Sequence, residues 1–472
     1  MPIKCRSAFL IYPPTGIYDR YERCQVPVGS ESVVVVRPPL DLMYLAAVLL
    51  REGISVQVRD YPASGEDWGA FRRDVKEINP DLLLVSVTVH TLSRDVLACE
   101  IAKKHNASMV CICKGFSLDQ GRQILSDYPV VDIVLRDEAE AALAEFVRDR
   151  PLSEIEGLSY RSGSGIRINS NRSQLPDLDA LPFPARHLLN NELYKMPDNG
   201  RKMGLILLGK GCSHDCIFCL VPSLNRHQVR RRSPESVVAE LHECVSKHGI
   251  TDFWFRADNF TEDRSWVLRI CDKIAESRLP VRWVTNSRVD SLDAEMILAM
   301  KKAGCFAIGL GVESGSEDTL KRIKKNISKK QAVEIVDLCR INGMQTYPFF
   351  VIGFPWETRQ HIQETIKFAK QLKGDIVNFA FPMPFPGTEL FDLYREAGLV
   401  SAAAEYSRGN GGVPLSGTRY LSADELSRLG KSAYRQTLFS PEHIIRSLGK
   451  IRSFRGCVFY LKAAVHLFKL SI

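Results

Sequence analysis

The sequence predicts an α/β protein with two domains of alternating strands and helices, followed by a mostly helical region. Short apolar runs and helical patterns alternate over residues 1–150 and again over residues 201–398 of the 472-residue chain. Such alternation is typical of parallel sheets whose strands are connected by helices. Apolar residues make up 45% of the chain and charged residues 25%, which excludes the disordered and fibrous classes.

The first series, residues 1–150, predicts a doubly wound, Rossmann-like sheet. Five apolar runs are each followed by a helical pattern, and the runs read AFLIY, ISVQV, LLLVSV, SMVCIC and VVDIVL. Helices are expected over Asp41–Arg51, Asp67–Ile78, Arg94–Lys104, Leu118–Ser126 and from Glu138. Ligands of this architecture bind at the carboxyl ends of the strands. The turns there contain Pro13, Pro14, Thr15, Ser86, Val87, Thr88, Lys114 and Gly115.

Residues 151–200 interrupt this rhythm, which indicates a linker between the two domains. GLSYRSGSGIRINSN has the pattern of a small hairpin with a Gly-Ser-Gly turn, and LPDLDALPFPAR is spaced by prolines.

The second series, residues 201–398, predicts a partial (β/α)6 barrel. Strands are expected near Leu205, Phe253, Val281, Phe306, Tyr347 and Ile376, with helices near Pro234, Glu262, Asp293, Lys330 and Thr358. In such barrels the chemistry lies at the carboxyl ends of the strands. Residues 399–472 begin with a Gly-rich loop at Gly409–Gly412 and then become mainly helical.

The composition also indicates in which compartment the protein resides and which partners it has. No run approaches the roughly 18 apolar residues of a spanning helix, and no signal-peptide pattern is present, so we expect a cytoplasmic protein. Thirteen cysteines, scattered except for one cluster, favour a reducing compartment over a disulfide framework. The net charge of +8 is modest for this length and predicts no nucleic-acid partner.

The one cysteine cluster directly follows the first strand of the second series. GKGCSHDCIFCLVP places Cys212, Cys216 and Cys219 with the spacing C-x3-C-x2-C. Structural zinc is the alternative, but it requires a fourth ligand: Cys244 lies far along the chain on a predicted helix, and His214 falls between the first two cysteines. Three thiolates on a short loop suit an iron–sulfur cubane whose fourth iron stays open for a substrate.

This motif, with the aromatic Phe218 before the last cysteine, resembles the cluster motif of the radical S-adenosylmethionine (SAM) superfamily. Five further blocks resemble, in order, the subgroup with an N-terminal cobalamin-binding domain: RRRSPESVVAEL, FRADNFTED, GLGVESGSEDTLKRIKK, FFVIGFPWET and FPMPFPGTEL. The resemblance implies a [4Fe–4S] cluster whose open iron binds the amino and carboxylate groups of SAM. One electron then cleaves SAM to a 5′-deoxyadenosyl radical, which abstracts hydrogen from a substrate. It also implies an electron donor such as flavodoxin or ferredoxin.

The resemblance further implies which barrel residues contact SAM. Glu313, Ser314 and Gly315 end the fourth strand, and Gly353 to Pro355 end the fifth; with Phe218 they are expected to face the cofactor. Glu313 can accept hydrogen bonds from its amino or ribose groups. Asp258, Asn286 and Arg288 are expected just after strands, where polar groups hold a cofactor or a substrate, or serve only as turn and capping residues.

The N-terminal domain resembles cobalamin-binding domains at PPLDLMYLAAVLLREG and LRDEAE. The contacts expected on this basis are Thr15, Ser86, Thr88, Lys114, Gly115 and Glu138. The sequence differs from the usual pattern of cobalamin-binding domains at two places. At Lys114 and Gly115 such domains usually have a glycine pair followed by proline and histidine, and at Asp137 they commonly have glycine. No D-x-H-x-x-G run marks a histidine as an axial cobalt ligand. A domain that keeps the fold without the cofactor is the alternative.

With cobalamin, the expected reaction is methylation of an unactivated carbon in a small molecule. Radical cyclisation or rearrangement is the runner-up, and a non-catalytic cobalamin or iron–sulfur sensor is the alternative from another class. A methylthiotransferase would need a second cysteine triplet, and Cys5, Cys24 and Cys99 are too scattered to form one.

The segment from His443 to Ile472 contains six basic residues and no acidic residue, interleaved with apolar ones. A basic amphipathic helix of this kind lies at an anionic membrane surface, or packs on the barrel with its basic side in water. The first interpretation predicts peripheral membrane contact and favours a lipid-like substrate.

Overall fold

The computed structural model describes residues 5–21, 24–28, 35–115, 118–136, 138–163, 165–400, 412–449, 458, 461–466 and 468. The chain forms two compact units. Residues up to Gln25 and Val36–Tyr194 form the first, while Val26–Val35 and residues from Lys195 onward form the second.

The first unit contains a seven-stranded sheet with helices on both faces. The strands of this sheet are β1 (Ser7–Tyr12), β4 (Ser55–Asp60), β5 (Leu82–Ser86), β6 (Val110–Lys114), β7 (Ile133–Leu135), β8 (Leu158–Ser162) and β9 (Gly165–Ile168), while β2 (Tyr18–Tyr21) and β3 (Cys24–Pro27) form a separate pair. Its helices are α1 (Leu40–Arg51), α2 (Tyr61–Ser64), α3 (Trp68–Ile78), α4 (Leu92–Asp95), α5 (Leu97–His105), α6 (Leu118–Asp127) and α7 (Ala139–Val147).

The order β4-β1-β5-β6-β7 is parallel throughout, which confirms the predicted doubly wound sheet. Helices α1 and α7 pack on one face of the sheet and share one apolar core with it, and helices α3, α5 and α6 pack on the other face in a second core. Strand β1 lies between β4 and β5, so the chain changes direction there and opens a crevice at the carboxyl ends of β1 and β5. The helix expected over residues 94–104 is interrupted at Val96, between α4 and α5.

The hairpin that the sequence assigns to a linker belongs to this sheet. Strand β8 pairs antiparallel with β7, and β9 with β8, so the first unit extends to Tyr194 rather than ending near residue 150. The buried Arg136 donates hydrogen bonds to the carbonyl oxygens of Leu158 and Asn169. The physical reason is edge protection: the hairpin covers the hydrogen-bonding groups that the three-residue strand β7 would otherwise expose.

The second unit contains a six-stranded parallel sheet in sequential order, which confirms the predicted partial barrel. Its strands are β10 (Met203–Leu207), β13 (Asp252–Arg256), β14 (Arg282–Arg288), β15 (Cys305–Glu313), β16 (Gln345–Val351) and β17 (Asn378–Ala380); β11 (Gly209–Lys210) and β12 (Arg230–Arg231) form a separate pair. Its helices are α8 (Val221–Asn225), α9 (Pro234–His248), α10 (Arg264–Ser277), α11 (Ala294–Lys302), α12 (Glu317–Arg322), α13 (Lys329–Ile341), α14 (Arg359–Leu372), α15 (Glu389–Glu396), α16 (Ala423–Leu438) and α17 (Pro441–Leu448). Sequential order with right-handed crossovers places the connecting helices on one face.

Helices α16 and α17, which follow residue 412, differ in how they pack. Helix α16 contributes Leu426, Leu429 and Ala433 to the barrel core, and the Tyr434 hydroxyl hydrogen-bonds the backbone of Phe379 in β17. No side chain of helix α17 is fully buried. Residues 409–411 of the expected glycine loop at Gly409–Gly412, and most of the tail after residue 449, lie outside the described residues. None of the helices in the described ranges is long and apolar enough to span a bilayer.

Candidate active site

The three-cysteine loop leaves β10 at the carboxyl end of the barrel sheet and is closed at its base by the antiparallel pair β11 and β12. Gly211 begins the loop at φ +95°, and a Cβ there would lie 2.0 Å from the carbonyl oxygen of Gln228. Only glycine fits this backbone. The loop N–H groups are held by carboxylates: Gly211 donates to Asp258 at 2.7 Å and Ser213 donates to Glu262 at 2.8 Å.

The other side of the loop rests on neighbouring elements. The Ile217 amide donates to the carbonyl of Ile323 at 3.3 Å, and the Ile217 carbonyl accepts from the Leu390 amide at 3.0 Å. Phe218 packs against Phe354, with ring centroids 6.1 Å apart. The loop therefore has a backbone fixed on several sides.

Two cations stand beside Cys216. Arg288 Nη1 lies 3.3 Å from Cys216 Sγ, and Lys325 Nζ forms a buried ion pair with Glu313 Oε1 at 2.7 Å. Burial raises the pKa of the Cys216 thiol, and the charges of Lys325 and Arg288 oppose that rise. Burial also raises the pKa of the Cys212 thiol. These surroundings favour an anionic sulfur more than an apolar pocket would.

The donor set fits an iron–sulfur cluster better than structural zinc. Cys244, the fourth zinc ligand considered, lies in the last turn of α9 and packs in the apolar core, toward the opposite end of the sheet from the loop. Within the described residues, no three His, Cys, Asp or Glu side chains are grouped as ligands of a single metal ion.

The residues expected to face SAM lie at the carboxyl ends of β15 and β16, as predicted, but most of their polar atoms are engaged within the chain. Glu313 has φ +69° and pairs with Lys325. Ser314 Oγ lies 3.0 Å from Thr365 Oγ1, which also accepts from the Gly315 amide. The Pro355 carbonyl accepts from the Arg419 amide at 2.9 Å. SAM contact by these residues stays a prediction.

Glu357 is a residue of this region that the sequence analysis missed. Its Oε2 accepts from the amides of Gly353 at 2.6 Å and Phe354 at 3.1 Å, and its Oε1 accepts from the Thr319 hydroxyl at 3.0 Å. Burial raises the pKa of this carboxyl to about 7, against the lowering effect of these hydrogen bonds. Glu357 fixes the backbone of the GFP turn. The only signal in the sequence is an acidic residue shortly after that turn.

The remaining three predicted barrel residues have distinct positions. Asp258 follows β13 and holds the cysteine loop through Gly211. Asn286 and Arg288 lie within β14, not after it as predicted, because that strand extends to Arg288. In the described structure Asn286 Oδ1 is buried and has no hydrogen-bond partner, and a Cβ at Gly309 would lie 2.3 Å from it.

The residues expected to bind cobalamin lie at the carboxyl edge of the first unit's sheet. Two of them contact Asp41: Ser86 Oγ donates to Asp41 Oδ2 at 2.9 Å, and Lys114 Nζ pairs with the same oxygen at 3.4 Å. Two others contact Asp95: Thr15 Oγ1 donates to Asp95 Oδ1 at 2.6 Å, and the Thr88 amide donates to Asp95 Oδ2 at 3.2 Å.

The edge also contains a fully buried ion pair and two further predicted residues. Arg20 and Asp95 pair at 3.0 Å with no exposed side-chain surface. The Gly115 amide donates to the carbonyl of Leu135, and Glu138 precedes α7 as a buried residue. Asp137 lies outside the described residues. Hydroxyls and backbone groups on a crevice suit an amide-bearing ligand, so the residue types fit cobalamin, and binding stays a prediction.

Comparison with known proteins agrees with this geometry. Residues 206–369 match the family profile described as Radical SAM superfamily. An uncharacterized methyltransferase of Pyrococcus horikoshii is 28% identical over 451 residues, which cover 94% of this chain and 95% of that protein. The anaerobic magnesium-protoporphyrin IX monomethyl ester cyclase of Rubrivivax gelatinosus is 24% identical over 86% of this chain and 75% of the cyclase.

A solved structure extends the likeness of fold to both units. The radical SAM methyltransferase TsrM of Kitasatospora setae, solved with cobalamin and a [4Fe–4S] cluster bound, superposes with a TM-score of 0.70 at 17% identity and covers 99% of each chain. The profile match begins in β10, includes the whole cysteine loop and ends in α14. On this combination of loop, barrel and profile, the chain contains a radical S-adenosylmethionine domain over residues 206–369.

Proposed function

We propose that the chain is a cobalamin-dependent radical SAM enzyme that methylates an unactivated carbon of a small molecule. The observation that carries this proposal is the three-cysteine loop, fixed by Asp258 and Glu262 at the carboxyl end of the first barrel strand and flanked by the guanidinium of Arg288. The methyltransferase of Pyrococcus horikoshii, similar over nearly the whole length of both chains, supports methyl transfer.

Cys212, Cys216 and Cys219 would hold the cluster, which when bound supplies the electron for cleavage of SAM. The chain's own residues fix and shield this place. Gly211 allows the loop to turn, and the apolar Phe218 and Phe354 cover one side of it. The ends of β15 and β16 would form the SAM contacts, with the backbone of the GFP turn held in place by Glu357.

Cobalamin would be held by Thr15, Ser86, Thr88, Lys114, Gly115 and Glu138, and when bound it supplies a methyl carrier. Asp41 and Asp95 position these side chains, because each carboxylate joins groups from neighbouring strand ends. Cobalamin in TsrM, a protein with the same fold over its full length, supports this assignment.

Radical cyclisation is the second candidate function, favoured by the likeness to a cyclase of Rubrivivax gelatinosus. The two reactions are distinguished by labelling. The full-length protein, purified anaerobically and reconstituted with iron, sulfide and cobalamin, is incubated with methyl-labelled SAM and an extract of the host cells. We expect label to appear in a product that contains one added methyl group. Unlabelled product that has lost two hydrogens would favour cyclisation, and no cleavage of SAM would favour a sensor.

We propose a small, lipid-like substrate, an electron donor such as flavodoxin or ferredoxin, and peripheral membrane contact. The support is helix α17, whose Ile445 and Leu448 are 69% and 61% exposed, together with the basic residues of the tail. Apolar side chains exposed beside basic ones suit an anionic bilayer surface.

A further inference from the structure

The guanidinium of Arg288 is held beside a cysteine of the three-cysteine loop. Its Nε and Nη2 donate to the two carboxylate oxygens of Asp290 at 2.9 and 2.7 Å, and Nη2 also donates to the carbonyl of Lys325. Nη1 lies 3.3 Å from Cys216 Sγ. The residue is only 6% exposed. Its guanidinium is therefore held in one orientation, with one N–H edge toward the sulfur.

This geometry has an electrostatic consequence for any cluster bound through Cys216. A guanidinium stays protonated at all physiological pH values, so the charge beside the sulfur is permanent. Hydrogen bonds to ligand sulfur and nearby positive charge stabilise the reduced cluster, which carries one more negative charge than the oxidised one. Burial strengthens the effect, because the interaction is less screened than in water.

The neighbouring Lys325 cannot supply the same effect alone. Its ammonium is paired with Glu313 at 2.7 Å, and that carboxylate also acts on Cys216 in the opposite sense. Arg288 also pairs with a carboxylate, but through Nε and Nη2, which leaves Nη1 directed to Cys216. Of these two cations, Arg288 is the one with a hydrogen bond to the thiol.

We propose that Arg288 is a positioning residue that holds the sulfur of Cys216 and makes the cluster easier to reduce. The inference rests on the proposed function for one point only, the assignment of Cys216 as a cluster ligand. It predicts that the chain tunes the potential at which an electron donor can reduce the cluster, before SAM or substrate is involved.

The test compares Arg288→Met and Arg288→Lys with wild type, and uses Arg282→Lys as the matched control. Arg282 lies at the opposite end of the same strand and pairs with Asp198 and Asp252. Each full-length protein is reconstituted anaerobically, its iron and sulfide are counted, and its cluster is titrated with dithionite and redox mediators while the reduced cluster is followed by electron paramagnetic resonance. Neither SAM nor substrate is needed.

At the wild-type midpoint, we expect the ratio of reduced to oxidised cluster to fall about tenfold in Arg288→Met, which equals about 59 mV for a one-electron couple. The midpoint potential of Arg288→Lys should shift less in the same direction, and that of Arg282→Lys should stay at the wild-type value. If Arg288→Met loses its iron, the midpoint potential of Arg288→Lys is the measurement that tests the inference. Unchanged midpoints in the Arg288 variants that retain iron would overturn the inference. A wild-type protein that binds no cluster would instead contradict the proposed function.

Discussion

Glu357 allows a sharp prediction, because a buried carboxyl supports the GFP turn. The unfolded chain titrates near the ordinary value of 4.5, whereas burial raises the pKa in the folded protein to about 7. Between these values the folded protein keeps a proton that the unfolded chain releases. The free energy of unfolding should therefore fall as pH rises from about 4.5 to about 7 and then level off. The pKa difference corresponds to about 3 kcal/mol.

Glu357→Gln is the informative change. Its amide carbonyl can accept from the amides of Gly353 and Phe354, and the Thr319 hydroxyl can turn to accept from the new NH2 group. The variant retains the hydrogen bonds but does not titrate. The free energy of unfolding of this variant, relative to that of wild type, should increase by about 3 kcal/mol between pH 4.5 and pH 8. Glu357→Ala leaves three buried donors unsatisfied and should lower the free energy of unfolding by about 3 kcal/mol or more near pH 4.5. Because alanine does not titrate, this loss relative to wild type should become smaller as pH rises to about 7.

The assay is urea unfolding of the cluster-free full-length protein from pH 5 to pH 8.5, followed by tryptophan fluorescence, with wild type and both variants in parallel. Hydrogen exchange at the amides of Gly353 and Phe354 reports the same turn locally. Parallel pH profiles for wild type and Glu357→Gln would refute the reasoning, because the carboxyl would then titrate alike in the folded and unfolded states.

Three other changes test the remaining parts of the account. Gly211→Ala places a Cβ 2.0 Å from a carbonyl oxygen, so iron content after reconstitution should drop several-fold; full iron content would contradict the fixed loop. Asp95→Asn leaves the buried Arg20 without its charge partner and should weaken cobalamin binding, measured by absorbance titration; unchanged affinity would separate this network from the cofactor. Truncation after Ser440 should release the protein from anionic vesicles at low salt, whereas an intact protein that ignores such vesicles would make the tail a packing element.

The fold followed from sequence periodicity because buried parallel strands and their covering helices leave a strong local pattern. The hairpin at residues 158–168 was assigned to a linker for the opposite reason. Its alternation is short, its turn is glycine-rich, and nothing local shows that β7 needs an edge partner. The break at Val96 was missed because α4 and α5 together give one continuous helical pattern.

The candidate site was predictable where spacing along the chain defines it. Cys212, Cys216 and Cys219 lie on one loop, so their spacing alone indicates a shared site. Glu357 and the contact between Arg288 and Cys216 depend on packing between separate strand ends, and residues 216 and 288 are far apart in sequence. A local pattern does not report such contacts.

Iron binding and SAM cleavage by matched cysteine variants test the central claim most directly. Cys216→Ala removes a thiol from the loop, and Cys244→Ala removes one from the apolar core beneath α9. Each protein is reconstituted anaerobically, its iron is counted, and release of 5′-deoxyadenosine from SAM is measured with dithionite as the reductant. We predict that wild type and Cys244→Ala bind iron and release 5′-deoxyadenosine, while Cys216→Ala does neither. Equal iron and equal cleavage in both variants would contradict the account.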